Sequence, residues 1–304
     1  MSPDPRPSFE DLLRQAVSAQ RPLLLDGATG TALNQAGVDT SSAAWSGLVP
    51  LEHAELLERI HRDHVAAGAD ILTTCTFRTT RRAFRAANRP EDEWRRAADA
   101  AVRIARAAAG NRAVVAGSIA PLEDCWRPER SPAGSTAVAE HVLLAAELVS
   151  AGVDVLWLET FGTLRELDAA AQAAGEAGAL LGTSFAASVT TLEDGSLLSG
   201  EPIEDAVTLL RDRGAKLISV NCIPAWFVDR ALDRVLACAG DTPIGVYASL
   251  ARAEPLQVWT GSAFLEPDDY AELAVGWVKR GVSVIGACCG STAEHVAALC
   301  ARLG

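Results

Sequence analysis

Eight short apolar runs recur along the 304-residue chain, most of them followed by an alanine-rich stretch with helical spacing. The runs cover residues 23–28, 71–76, 113–119, 155–160, 180–186, 217–222, 244–249 and 284–288. Segments such as HAELLERIHRDHVAAG, STAVAEHVLLAAELVSAG and EPIEDAVTLLRDRG lie between them. They place Ala, Leu, Val and Ile three and four residues apart and end at glycine, the pattern of an amphipathic helix and its stop. Strands alternating with helices predict a parallel sheet with crossover helices. VLWLET and LISVNC are apolar nearly throughout, as strands buried on both faces should be. Eight repeats in this length predict an α/β fold, a single (β/α)8 TIM barrel. An open doubly wound sheet would more often carry a glycine-rich dinucleotide fingerprint after its first strand, and DGATGTAL does not match one. No linker or composition break divides the chain. Residues 1–304 are therefore expected to form one domain, with residues 1–20 as an N-terminal extension.

Charge narrows the partners. The 27 basic and 39 acidic residues give a formal charge of −12, which argues against nucleic-acid and anionic-membrane surfaces, since both attract basic proteins. No apolar run approaches the length of a membrane span. The N-terminal MSPDPRPSFEDLLRQ lacks the basic and then apolar blocks of a signal peptide, so a cytoplasmic location is expected. Seven cysteines in such a chain read as free thiols or metal ligands rather than a disulfide framework.

Barrel chemistry gathers at the C-terminal strand ends. In order, these ends carry Asp26 with Gly27-Ala28-Thr29-Gly30, Thr74-Cys75-Thr76, Ser118, Glu159-Thr160, Ser184, Asn221-Cys222, Tyr247 and the vicinal pair Cys288-Cys289. Cys222 and the pair end strands with one strand between them, so three sulfurs can converge at one rim. Three thiolates around Zn²⁺ leave one tetrahedral position open, as in catalytic sites, and thiolates select zinc over magnesium or calcium. Such a set favours an electron-rich sulfur nucleophile over hydroxide. A barrel cysteine is otherwise a small core hydrophobe. That is the expectation for Cys75, Cys125, Cys238 and Cys300, and spacing alone leaves Cys222, Cys288 and Cys289 open between the two roles.

The stretches LLDGATGTAL, AAWSGLVP, IHRDHVAAGADILTTCTF, LWLETF, SFAA with DGSLLSGEPIEDA, SVNC and IGACCGSTAEHV resemble, in order, the zinc-dependent homocysteine S-methyltransferases. The resemblance implies that Cys222, Cys288 and Cys289 bind zinc and that the homocysteine sulfur takes the fourth position. It also implies that Asp26 and Glu159 hold the ammonium group. The substrate carboxylate is expected on N–H groups of Gly27, Ala28 and Thr29, with Asn221 also on the substrate side. A positively charged methyl donor suits aromatic faces, and Trp45, Thr76 and Tyr247 are expected to bind it. Trp126 and Trp259 lie in loops on the same side, where packing over the rim is an equal reading.

Three departures from the family pattern stand out: Cys75 for a common Asn, Ala287 for a common Gly, and YASLARAEP after the seventh strand. The last leaves the donor and the acceptor open. The implied reaction is methyl transfer from a small onium donor, S-methylmethionine or S-adenosylmethionine first and a betaine second, to homocysteine, forming methionine. The alternatives are another thiol or selenol acceptor, or a non-catalytic zinc or redox-sensing barrel. The five arginines of residues 78–89 read as a surface helix, an interface or part of a donor loop, and the oligomeric state is not legible.

Overall fold

The computed structural model describes residues 8–132, 134–250 and 264–304. Its eight strands are β1 (Leu23–Leu24), β2 (Ile71–Thr73), β3 (Val114–Ile119), β4 (Val155–Phe161), β5 (Ser184–Val189), β6 (Ile218–Pro224), β7 (Ile244–Ser249) and β8 (Val282–Ala287). They pair in parallel in the order β1-β8-β7-β6-β5-β4-β3-β2. The ring closes just past β1, where Leu25 bridges Ile71 and the Asp26 N–H donates to the Ile71 carbonyl at 3.0 Å. With helices between successive strands, this is the (β/α)8 barrel that the alternation predicts.

The unbroken apolar runs follow from two cores sharing one wall. Side chains alternate across a strand. Val114, Ala116, Val155 and Trp157 point into the barrel, while Val115, Leu156 and Leu158 pack outward against helix residues such as Leu144, Leu148 and Leu167. The same alternation carries Ser118 and Glu159 inward, one step above Ala116 and Trp157.

Within the expected N-terminal extension, the described residues begin at Ser8. From Phe9 to Ala19 they form a helix, capped by the Ser8 hydroxyl, that accepts the Asp11 N–H. Phe9, Leu13 and Ala16 are buried with the first residues of the strands, and the Phe9 ring meets Trp157 edge-on at 6.0 Å. The helix therefore plugs the N-terminal mouth. Phe9→Ala should cost about 3–5 kcal/mol of unfolding free energy in a urea titration. An unchanged midpoint would mean the helix is a dispensable appendage.

One expected strand is displaced. The run 180–186 splits: Leu180 and Leu181 finish the helix Leu164–Leu181 and are exposed, Gly182 ends it at φ 73°, and β5 begins only at Ser184. Ser184 thus lies at the bottom of the barrel rather than at the rim. Of the arginines of residues 78–89, Arg81, Arg82 and Arg89 are engaged in ion pairs. Arg82 reaches Glu123 at 2.8 Å and Glu140 at 2.6 Å, and Arg89 reaches Glu93 at 2.8 Å. Among the described residues, no helix is long and apolar enough to cross a membrane.

Candidate active site

A cavity of about 780 Å³ opens at the C-terminal ends of the strands. Asp26, Glu159, Cys222, Cys288 and Cys289 all line it, as do Trp45 and Trp126.

The three cysteines converge although Cys222 and Cys288 are 66 positions apart in the sequence. The Cys222 and Cys289 sulfurs are 3.6 Å apart, and those of Cys288 and Cys289 3.8 Å. Local backbone chemistry makes this possible. Cys288 still belongs to the ladder, donating its N–H to the Ala248 carbonyl at 2.8 Å. Gly290 then reverses the chain at φ 89°, and the Ser291 N–H returns to the Cys288 carbonyl at 3.1 Å. A β-carbon at Gly290 would lie 2.4 Å from the Phe264 ring, so both its torsion and its surroundings call for glycine. On β6, Cys222 has φ 55°, at a register shift against β7 between Asn221 and Pro224. Such irregularities re-aim side chains at strand ends. Mutual S–H···S contacts lower the Cys289 thiol well below its ordinary value, because both neighbours donate toward it. The set is compact, sulfur-rich and mutually polarised, so its donor chemistry fits a thiophilic ion such as zinc.

A buried carboxyl, Asp26, and a half-buried one, Glu159, face the same cavity. Glu159 accepts from the Ser118 hydroxyl, and burial, then the nearby Cys288, push its carboxyl up to about 8. Asp26 takes the Thr73 N–H at 2.9 Å and the Thr73 hydroxyl at 3.0 Å. Burial raises its carboxyl well above the usual range despite those bonds, and Glu159 adds to the rise. The pair is destabilised as two anions, and a cation placed between them would relieve both.

The expected residues divide under this geometry. Gly27, Ala28 and Thr29 line the cavity, but the Ala28 N–H is committed to the Ser291 hydroxyl at 2.9 Å. The Thr29 hydroxyl is buried without a hydrogen-bond partner among the described residues. Asn221 is fully buried beneath the rim. Its carbonyl accepts the Thr160 N–H at 3.1 Å, and its amide donates to the Thr160 hydroxyl at 2.8 Å. It thereby holds a β-branched residue at φ 65°, beside Glu159. Thr76 is buried, donating to the Ser118 carbonyl at 2.7 Å, while Thr74, Cys75 and Phe77 form the cavity wall at that point. Tyr247 sits in the barrel interior with its hydroxyl bonded to Trp157 Nε1 at 3.1 Å and to Ser188.

Trp45 lies over the first βα loop, edge-on to Phe77 at 5.6 Å. A β-carbon at Gly30 would be 2.6 Å from its ring. Cys75 is a core residue, its thiol donating to the Ser46 carbonyl at 3.4 Å. Cys125, expected in the core, lines the cavity, and Cys75 lines it too while packing in the core. Trp259 and most of the altered stretch after Tyr247 lie outside the described residues.

Sequence reasoning missed the residues that place the site: Thr73, Ser291 and Thr31. Ser291 ties the cysteine turn to the first loop, and the Thr31 hydroxyl accepts the Gly290 N–H at 3.0 Å. It also missed His61 and His64, two buried histidines three apart on the helix Ala54–Ala67. Their only signal was polar residues on an apolar face. Burial lowers the His61 imidazole to about 3 and that of His64 to about 4.

A parallel (β/α)8 barrel with thiols and carboxyls gathered at the C-terminal rim has the layout of a barrel enzyme. Residues 23–303 match the profile of the homocysteine S-methyltransferases, and the chain belongs to that family of methyltransferases. Homocysteine S-methyltransferase YbgG of Bacillus subtilis is 28% identical, over 90% of this chain and 92% of its own length. The homocysteine S-methyltransferase of Escherichia coli is 29% identical, over 95% and 98%. The crystal structure of the E. coli homocysteine methyltransferase MmuM in its metallated form superposes with a TM-score of 0.79 at 27% identity, covering 96% of this chain and 99% of that one.

Proposed function

We propose that the protein transfers a methyl group from a small onium donor to the thiol of homocysteine at a zinc site formed by Cys222, Cys288 and Cys289, giving methionine. The observation that carries this reading is the convergence of three sulfurs in the same cavity as two carboxyls, Asp26 and Glu159, that are both destabilised as anions. When bound, zinc would supply a thiolate at neutral pH by lowering the pKa of a coordinated thiol.

The chain's own groups do the rest. Asp26 and Glu159 take the substrate ammonium by charge-assisted hydrogen bonds, which also offsets their mutual repulsion. The Ala28 N–H is already engaged by the Ser291 hydroxyl, so the substrate carboxylate falls to the N–H groups of Gly27 and Thr29 in the same turn. Asn221 is a positioning residue: it acts through Thr160 and so fixes the neighbouring Glu159. The substrate sulfur attacks the methyl carbon as the carbon–onium bond breaks, and the bonding pair leaves with the donor heteroatom. The departing molecule is neutral, so no general acid is needed. Alignment of the three centres is the main task of the cavity.

Trp45, Phe77 and Trp126, which line the same cavity, offer aromatic faces to a cationic donor. Thr76 supports the cavity wall from within, while Tyr247 lines the cavity from the barrel side with its hydroxyl held by Trp157 and Ser188. S-methylmethionine and S-adenosylmethionine are the first donors to test and glycine betaine the next. Zinc-loaded protein, homocysteine and each donor in turn should yield methionine with at least one sulfonium; no product with any of them rejects the reading. Trp45→Ala should raise the donor KM roughly 10-fold, the loss expected from one desolvated cation–π contact, with the homocysteine KM unchanged.

A further inference from the structure

Behind the wall formed by the end of β1, His61 and His64 project from one face of the helix Ala54–Ala67, which is otherwise lined by Leu57, Ile60 and Val65. Both are buried, with 0% and 1% of their surface exposed. Neither ring nitrogen of His61 nor Nδ1 of His64 has a hydrogen-bond partner among the described residues. Each such orphan costs roughly 1–3 kcal/mol, so two imidazoles left this way in an apolar setting call for a ligand. One oxygen of Asp26 and one nitrogen of each histidine lie within 4.8 Å of one another. Gly27 lets the first loop approach His64 closely, because a β-carbon there would stand 2.9 Å from His64 Nε2.

We propose that Asp26, His61 and His64 form a second metal site, separate from the cysteine cluster, for a divalent ion of the zinc class. Two imidazoles and one carboxylate are a zinc-type donor set with room for a further ligand, and imidazole selects zinc, cobalt or nickel over magnesium and calcium. The three donors come from two rigid elements: the helix fixes the histidines at i and i+3, on one face. The two bonds from Thr73 fix the carboxylate and leave lone pairs on its oxygens. The site shares Asp26 with the ammonium pocket proposed above but needs no substrate, so it stands or falls on metal binding alone.

The test is a Co²⁺ titration of the full chain, stripped with chelator and kept reduced under anaerobic conditions. Wild type should take up two equivalents. One develops an intense sulfur-to-cobalt charge-transfer band in the near ultraviolet, and the other adds only weak visible bands. His61→Gln and His64→Gln should each drop to one equivalent and keep the charge-transfer band, which shows that the barrel and the cysteine site are intact. Cys222→Ser should keep the equivalent that lacks the band. Uptake of a single equivalent by wild type, or of two by both histidine variants, overturns the second site. Loss of the charge-transfer band from wild type would instead strike at the cysteine site, so the two failures are distinguishable.

Discussion

Cys222→Ala is expected to lose its metal and its methyl transfer together. Three thiolates holding zinc contribute a binding free energy on the order of 10–16 kcal/mol, so removing one takes away roughly 4 kcal/mol, about 10³-fold in affinity. Catalytic efficiency should fall by at least ~10³-fold, since the substrate thiol is then no longer held as a thiolate. Cys222 is the most informative of the three because it comes from a different strand. It reaches Cys289 at 3.6 Å only through its left-handed backbone at φ 55°. Cys75→Ala is the matched control: that thiol is buried in the core, bonded to the Ser46 carbonyl, and its loss should leave the metal content unchanged. Metal analysis after dialysis, together with initial rates, decides the matter. Stoichiometric zinc in Cys222→Ala with a rate within tenfold of wild type would falsify the three-thiolate site.

Glu159→Gln should act in opposite directions on stability and on function. Burial raises the Glu159 carboxyl from an ordinary value near 4.5 to about 8. The folded state therefore binds this proton more tightly than the unfolded one. The stability it contributes is fully present below about pH 4.5 and is lost as pH rises through about 8. In chelator-stripped protein without substrate the loss is on the order of 3–5 kcal/mol. Glutamine has no proton to lose. The variant should match wild type near pH 4.5 and exceed it in urea titrations at pH 8.5. Asp26, raised chiefly by burial, adds a slope of the same sign. His61 and His64 work the other way: depressed to about 3 and 4, they support the fold above their ordinary value of 6.5, and that support is lost as pH falls toward 4 and 3. The difference between variant and wild type cancels the histidine contributions, and removing the Glu159 charge also eases the rise at Asp26, in the same direction. Function should move the other way, because a charge-assisted hydrogen bond to the substrate ammonium is worth about 1.5–3 kcal/mol. The homocysteine KM should accordingly rise roughly 10- to 100-fold in the variant. Parallel stability curves from pH 4.5 to 8.5 would show that Glu159 is not the strained acid described here.

These two residues illustrate how a rim becomes a site. Glu159 and Ser118 arrive inside the barrel by the two-residue alternation that also points Trp157 and Ala116 inward. Asp26 follows a different route: it falls past the end of a two-residue strand, turns toward β2 and is gripped by Thr73. That turn also brings it against His61 and His64.

The sequence by itself determined the eight-fold alternation, because strands buried on both faces must be apolar throughout and the helices covering them must carry apolar residues at three- and four-residue spacing. It also carried the family, since glycine-bounded turns such as GACCGST are local and survive as strings. It misplaced the start of the fifth strand because two leucines ending an alanine-rich helix look like the head of an apolar run, and only the left-handed Gly182 shows where the helix stops. What the tertiary structure alone decided was partnership. It showed that Ser291 takes the Ala28 N–H, that Asn221 is bonded to Thr160, that the Tyr247 hydroxyl is held by Trp157, and that Phe9 plugs the lower mouth of the barrel. Periodicity states which face a residue occupies. A hydrogen bond between residues 263 apart depends on where the barrel closes, and nothing local encodes that.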